Sequence, residues 1–201
     1  AFLADLGMEN VNFGSQLGVS GDAFKFLTYS GMIRLLGANY VPEYFDGLYD
    51  LTREKRMAVY ITPLSTVSPY AGWLVSLGVN VLDSGFYFKT TLSGPFNADY
   101  AVTYRYPDLD AAIGLRQGVL GGLSLQANYS KSNIASIQSL VDPTDALIGA
   151  QIGYAIGPAV IRLVYQVSYD PYASQKGLTG NWQVNSRLET SIVLFETGVK
   201  P

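Results

Sequence analysis

The sequence has no cysteine and no histidine in 201 residues. Without cysteine there is no disulfide, no thiol nucleophile and no thiolate metal site. Without histidine there is no Ser-His-Asp or Cys-His arrangement, no imidazole base near neutral pH and no imidazole metal ligand. Charge is sparse too: 14% of the residues are charged, against about 25% in an ordinary soluble domain. Long apolar blocks are also missing. Gly, Ser, Asn, Thr or Arg cuts every stretch before it reaches the roughly 18–20 residues of a membrane helix. A net charge of -3 without a basic face makes nucleic acid an unsuitable partner. No cationic segment leads into an apolar one after Ala1, so no signal peptide is visible, and the sequence is either a mature chain or part of a longer one.

What the sequence does have is period two. Val11, Phe13, Leu17 and Val19 alternate with Asn10, Asn12, Gly14, Gln16 and Gly18, which puts the two sets on opposite faces of a strand. The same alternation recurs over 73–81, 86–92, 98–106, 111–117, 123–129, 148–156, 161–169 and 182–194, and more noisily over 24–36. Met57–Thr62 is a further short candidate. Between the runs stand hairpin signals: Gly21-Asp22, Asp83-Ser84-Gly85, Pro107-Asp108, Gly121-Gly122 and Gly157-Pro158. Helix is confined to a turn or two in Asn133–Leu140 or Leu48–Lys55. No linker or change of composition divides the chain. The expectation is a single all-β domain over 1–201, an antiparallel up-and-down barrel of about ten to twelve strands.

The alternation also bears on which face is outside. The apolar face carries no charge in any of these strands, whereas exposed soluble sheets carry protective Lys or Glu. The other face is rich in Gly, Ser, Asn, Gln and Thr, with charges of both signs at Arg34, Lys89, Asp99, Arg105, Asp110, Arg116, Arg162, Asp170, Arg187 and Glu189. Mixed Arg-rich pairs suit a confined wet lumen. Trp73, Phe86, Tyr104, Tyr106, Tyr129, Tyr154, Tyr169 and Trp182 gather toward the strand ends, as aromatic girdles do at membrane interfaces. The apolar face is therefore expected to meet lipid. Loop lengths add a condition. With Met57–Thr62 as a strand, the long loops fall on one side and the strand count is odd. Without it the count is even and they fall on both sides.

In its alternation, aromatic ends and turn pattern, over almost its whole length, the chain resembles the outer-membrane β-barrel proteins of diderm bacteria, porin-like in type and without a match to a specific family. One departure is the end of the chain, where Glu196–Pro201 follows Phe195 instead of the final aromatic residue usual in that class. The resemblance implies a transmembrane barrel at the cell surface; enzymes of that class are built around histidine, so a chain with none is not expected to be an enzyme, and no cofactor is expected. Its partner would be membrane lipid, with homo-oligomers open. As a passive pore it would be lined by Arg34, Lys89, Asp99, Arg105, Asp110, Arg116, Arg162, Arg187 and Glu189.

The most distinctive loop is 39–56, whose Tyr40, Tyr44, Phe45 and Tyr49 are too apolar for an idle solvated segment. They are expected to constrict the lumen or contact a partner or sugar, or else to pack on one another over the barrel mouth. Asp99 and Asp110 could face each other across Pro107, but ion pairs with Arg105 and Arg116 suit them better than catalysis, since adjacent carboxylates repel unless a proton is shared. Asp46 and Asp50 lack calcium-loop spacing, so no metal is expected. Two alternatives to a pore remain. One is a structural or adhesive surface barrel acting through its loops. The other is a soluble barrel with an apolar ligand inside.

Overall fold

The computed structural model describes residues 2–9, 12–40, 57, 68–81, 85–96, 107–177 and 179–192. Ten strands follow one another: β1 (Phe2–Glu9), β2 (Asn12–Ala23), β3 (Leu27–Leu36), β4 (Tyr70–Val81), β5 (Phe86–Pro95), β6 (Asp108–Leu120), β7 (Leu123–Lys131), β8 (Ala146–Ile156), β9 (Ala159–Tyr169) and β10 (Trp182–Ile192). They make one sheet in chain order. Every pairing is antiparallel. Period-two segments joined by turns favour this arrangement, because sequence neighbours pair with the least loop-closure entropy. The 3-10 turns at Gln138–Leu140 and Ala173–Lys176 lie in connections. The first falls where a helical turn was expected; Leu48–Lys55 lies outside the described residues.

The connections sort by length. The short ones, 24–26, 82–85, 121–122 and 157–158, share one end of the sheet. The long ones, 37–69, 96–107, 132–145 and 170–181, share the other, together with the short link between β1 and β2. This one-sidedness was expected only with a strand at Met57–Thr62, and the sheet reaches it differently. Met57 is exposed and not in a strand, and 58–62 and 98–106 lie outside the described residues. Instead, β5 pairs directly with β6, so 96–107 is a single connection, and β1 adds a strand ahead of β2. Its alternate residues Phe2, Ala4, Leu6 and Met8 carry the period-two signal, which Leu3 blurs on the opposite set. Nor is Pro107-Asp108 a hairpin between adjacent strands: Asp108 opens β6, whose neighbours are β5 and β7.

Gly121 and Gly157 turn the chain at φ 62° and 57° in the expected β6–β7 and β8–β9 hairpins. The expected turn at Gly21-Asp22 lies further on. β2 runs to Ala23, and Phe24 and Lys25 make the turn with φ of 55° and 62°. Gly21 is there for close approach: a Cβ on it would sit 2.6 Å from the Tyr29 hydroxyl on β3.

Strands lie about 4.8 Å apart, so β2 and β7 would be separated by about 24 Å in a flat sheet. Yet side chains of β2, β3, β4, β5, β6 and β7 line one cavity of about 720 Å³. The sheet therefore curls strongly about its Gly- and polar-rich face. Its edges are β1 and β10, and no hydrogen bonds join them among the described residues, so the backbone ladder does not close into a barrel.

The expected apolar face is the convex, exposed one. Leu17, Ile33, Leu163 and Leu188 are 65%, 56%, 47% and 69% accessible. Tyr29, Val75, Leu77, Phe88, Ile113, Ile148, Ile152, Tyr154 and Val184 are exposed with them. Most buried strand positions lie on the concave side, among them Gly14, Arg34, Gly72, Leu74, Gly114, Gly153 and Val164, while Lys131 and Ala146 are buried on the other face beside the 132–145 connection. Among the described residues the buried apolar side chains are Leu36, Tyr70, Leu74, Ala146, Leu147, Val164 and Ala173, too few to form a continuous core.

Positive φ at two non-glycine residues makes the first hairpin turn strained, at about 1–2 kcal/mol per left-handed residue. Lys25→Gly relieves one of them. The expected outcome is a gain of about 1 kcal/mol, read as a higher urea midpoint with an unchanged slope in refolded protein.

Candidate functional site: the concave face

Direct cross-strand partners share a face, so register assigns the charged residues. Arg34 stands opposite Gln16 and Gly72. Lys89 stands opposite Gly78 and Ala112. Asp110 lies between Thr91 and Ser130, and Arg162 between Gly153 and Glu189. Arg187 follows on the same face of β10 and binds Glu189 through Nε at 2.7 Å. Arg116 lines the main cavity. All seven of these expected lining residues thus share the concave side. Asp99 and Arg105 lie outside the described residues. The pairing of Asp110 with Asp99 does not describe the sheet: Asp110's lateral neighbours are the hydroxyl residues Thr91 and Ser130.

The cavity of about 720 Å³ is floored by small and polar side chains, among them Ser20, Thr28, Ser30, Ser76, Asn80 and Gln126. Ser76 and Thr91 bond through their hydroxyls at 2.8 Å. A second cavity of about 400 Å³ shares Tyr87, Arg116 and Gln126 and extends to Gln151 and Arg162. Tyr87 sits where the two meet. Its hydroxyl donates to Gln126 Oε1 at 3.0 Å, and the Arg116 guanidinium lies 5.2 Å from its ring centre. That stacking is a cation–π contact. Gly114, opposite Tyr87, leaves the space the ring occupies: a Cβ there would lie 2.7 Å from the Tyr87 hydroxyl. Beyond Leu115 the β6–β7 register breaks, with Arg116 just past the break. Such irregularities redirect side chains. Nothing in the β6 sequence apart from Gly118 signalled it.

The long-loop end is more filled. Arg34, Leu36 and Tyr70 are buried there. The Tyr40 ring packs over Gly14 on the concave side of β2, within 2.8 Å of where a Cβ would stand. One of the four expected loop aromatics therefore reaches the interior; Tyr44, Phe45 and Tyr49 lie outside the described residues. Side chains also anchor the outer loops. Tyr129 donates to the Leu140 carbonyl at 2.7 Å, and Lys131 to that of Thr144. Asn133 donates its backbone N–H to Asp108 at 3.2 Å and its side-chain amide to Asp145 at 3.0 Å. Tyr169 meets Trp182 edge-on at 5.2 Å across the mouth of the last hairpin.

Aromatic side chains gather near both ends. Phe24, Phe26, Tyr29, Phe86, Phe88 and Tyr154 lie toward the short turns, and Phe13, Trp73, Phe96, Tyr129, Tyr169 and Trp182 toward the long loops. Tyr165 at mid-strand and Phe2, level with the middle of β3, are exceptions. Tyr104 and Tyr106 lie outside the described residues.

No protein-family model, curated protein or solved structure matches this chain. Its chemistry is therefore read from its own two faces.

Gly114→Ala should displace Tyr87 and loosen Arg116, at a cost of about 1–3 kcal/mol from overpacking. Chemical denaturation measures the loss, and Gly114→Ala with Tyr87→Ala should recover part of it. In the outer loop, the Thr144 backbone N–H at 2.8 Å and then the Thr144 hydroxyl hold the Asp142 carboxyl below its usual range, with Lys131 helping. A lowered folded value means that this stabilisation is complete above the unfolded pKa of about 4 and disappears as pH falls through the folded one. Protection of the Thr144 amide, its exchange rate relative to the intrinsic rate at each pH, should fall over that acidic window, and Asp142→Asn should remove the change.

Proposed function

We propose that the protein is an outer-membrane β-barrel that acts as a passive pore for small solutes. The observation that carries the proposal is the inversion of the sheet: its convex face exposes aliphatic and aromatic side chains, and most of its described glycines and charges lie on the concave one. In water this exposed area would be an aggregation liability. In a bilayer it is the surface that lipid covers, and the concave face becomes a wet lumen. Strands of nine to thirteen residues among β2–β10 match the length of a tilted membrane strand. Aromatics near both strand ends fit the two interfaces, and long loops at one end fit the outer side of such barrels.

Closure follows from the same proposal. The ten strands among the described residues are an even number, so β10 and β1 run antiparallel and can pair without reversing either. Pairing them removes the open edges, which lipid does not tolerate. The proposed pore lining is Arg34, Lys89, Asp110, Arg116, Arg162, Arg187 and Glu189, with Asp99 and Arg105 from beyond the described residues. A ten-strand lumen is narrow and partly filled by these side chains, so small conductance is expected. Tyr40 and Arg34 would narrow it at the long-loop end.

A surface-adhesive barrel would share the anchor and differ in its loops, where Tyr44, Phe45 and Tyr49 are the natural contacts. A soluble ligand-binding barrel would need the alternating apolar set inside, opposite to the observed exposures.

Leu163→Arg separates lipid from water. It should cost about 2–4 kcal/mol when the protein folds into liposomes, as for an arginine near a bilayer midplane. An exposed position in water would change by no more than about 0.5 kcal/mol. Single-channel steps in planar bilayers test the pore itself. Their absence from folded, membrane-inserted protein would refute it, and loss of adhesion in a Tyr44/Phe45/Tyr49→Ser variant would favour the adhesive alternative.

A further inference from the structure

The concave charges are segregated along the strands. Toward the short turns lie Lys89, Arg116 and Arg162, with Asp22 and Glu189 as the described carboxylates and Arg187 at mid-strand opposite Val164. Glu189 is taken up by Arg187 at 2.7 Å. Toward the long loops the balance reverses. Asp108 and Asp110 open β6 on this face beside Arg34, and the described loops at this end add Asp142, Asp145 and Asp170 against Lys176, with Lys131 on the opposite face at the end of β7. A net charge of -3 hides this division.

Both cavities lie in the cationic half. Between them their linings hold Lys89, Arg116 and Arg162 against a single carboxylate, Asp22. The two cavities meet at Tyr87, Arg116 and Gln126, so one solute could contact cations of both. The larger, at about 720 Å³, falls within the roughly 300–1,000 Å³ of small-molecule sites. Arg116 is held in place by the Tyr87 ring beneath its guanidinium, and Tyr87 in turn by Gln126 and by the gap at Gly114. A preorganised guanidinium offers two parallel donors to an oxyanion, and a lysine adds a mobile point charge. Walls of low dielectric strengthen the field of such a cluster.

We propose that the joined cavities are a binding station for small oxyanions, solutes bearing a phosphate or carboxylate group, held by Lys89, Arg116 and Arg162 near the short-turn end. Acidic groups at the long-loop mouth deter bulk anions, and the cationic half retains those that pass. The assignment depends on the proposed wet interior but not on conductance.

Inorganic phosphate is the first probe, titrated into the full chain in detergent micelles and followed by calorimetry or by ³¹P line broadening. Saturable binding is expected. It should weaken about tenfold in Arg116→Gln, the effect of losing one charged hydrogen-bonding group. Arg116→Lys should retain most of it, and Asp22→Asn should tighten it. Acetate should compete if the carboxylate chemistry is shared, whereas selective phosphate binding would narrow the class to phosphates. The second measurement is the reversal potential across a planar bilayer under a potassium chloride gradient. Anion preference is expected, and loss of that preference in Lys89→Gln/Arg116→Gln/Arg162→Gln. Non-saturable phosphate uptake, equal binding by Arg116→Gln, or cation preference in the unaltered protein would overturn the proposal. Protein that binds phosphate through Arg116 yet never conducts would refute the pore and keep the site. Protein that conducts without binding would do the reverse. If the triple variant does not fold, the comparison of Arg116→Gln with Arg116→Lys decides.

Discussion

Everything in this molecule depends on lateral backbone pairing in a sheet whose side chains alternate. Each interior strand donates and accepts hydrogen bonds on both edges, so its backbone needs nothing from a packed core. The side chains then fall into two sets with opposite surroundings. One set is aliphatic and aromatic and faces outward from the curled sheet. The other, of glycine, serine, amides and charges, faces inward. A soluble sheet protein puts the first set inside, where burial contributes about 25 cal/mol per Å² of apolar surface. Here that contribution has to come from whatever covers the convex face. In the proposed function that covering is lipid, which is why inversion of the sheet carries the proposal.

The interior has a graded structure. At the long-loop end, Arg34, Leu36, Tyr40 and Tyr70 reduce the free volume, and hydrogen bonds from Tyr129, Lys131 and Asn133 tie the 132–145 loop down over it. At the short-turn end the turns are tight and the two cavities lie between them. Small residues produce this contrast as much as large ones. Gly14 lets Tyr40 reach inward, and Gly114 lets Tyr87 lie flat beneath Arg116. An alanine in either place would meet an aromatic ring, so the glycines set where the aromatics stand and the aromatics set where the cations stand.

Much of the fold was legible in the chain. β2–β5 and β7–β10 fall on period-two segments, and Gly121-Gly122 and Gly157-Pro158 turn where a φ > 0 residue was needed. The misses have local causes. The first turn lies at Phe24-Lys25, residues that ordinarily avoid positive φ, so no propensity pointed to it. Gly21-Asp22 resembled a turn because glycine also serves close packing, in this case against Tyr29. β1 is short and carries the apolar Leu3 in its polar set, which blurs its alternation. Pro107-Asp108 resembled a hairpin, although proline equally well opens a strand at the end of a longer connection.

The sequence by itself determined which residues share a face, because side chains on a strand alternate with a period of exactly two residues whatever the strand pairs with. From that alone Arg34, Lys89, Asp110, Arg116, Arg162, Arg187 and Glu189 belong together on one side. Only the tertiary structure decided that this side is concave, and at what height along the strands each residue stands. Height depends on register between strands and on curl, which arise from pairings between residues far apart in the chain. Lys89, Arg116 and Arg162 sit on three different strands, and cross-strand register with the irregularity after Leu115 brings them around common cavities at one end. A list of charges in chain order gives only a net value of -3. Placed by register, the described charges of the concave face are cationic toward the short turns, where Lys89, Arg116 and Arg162 stand.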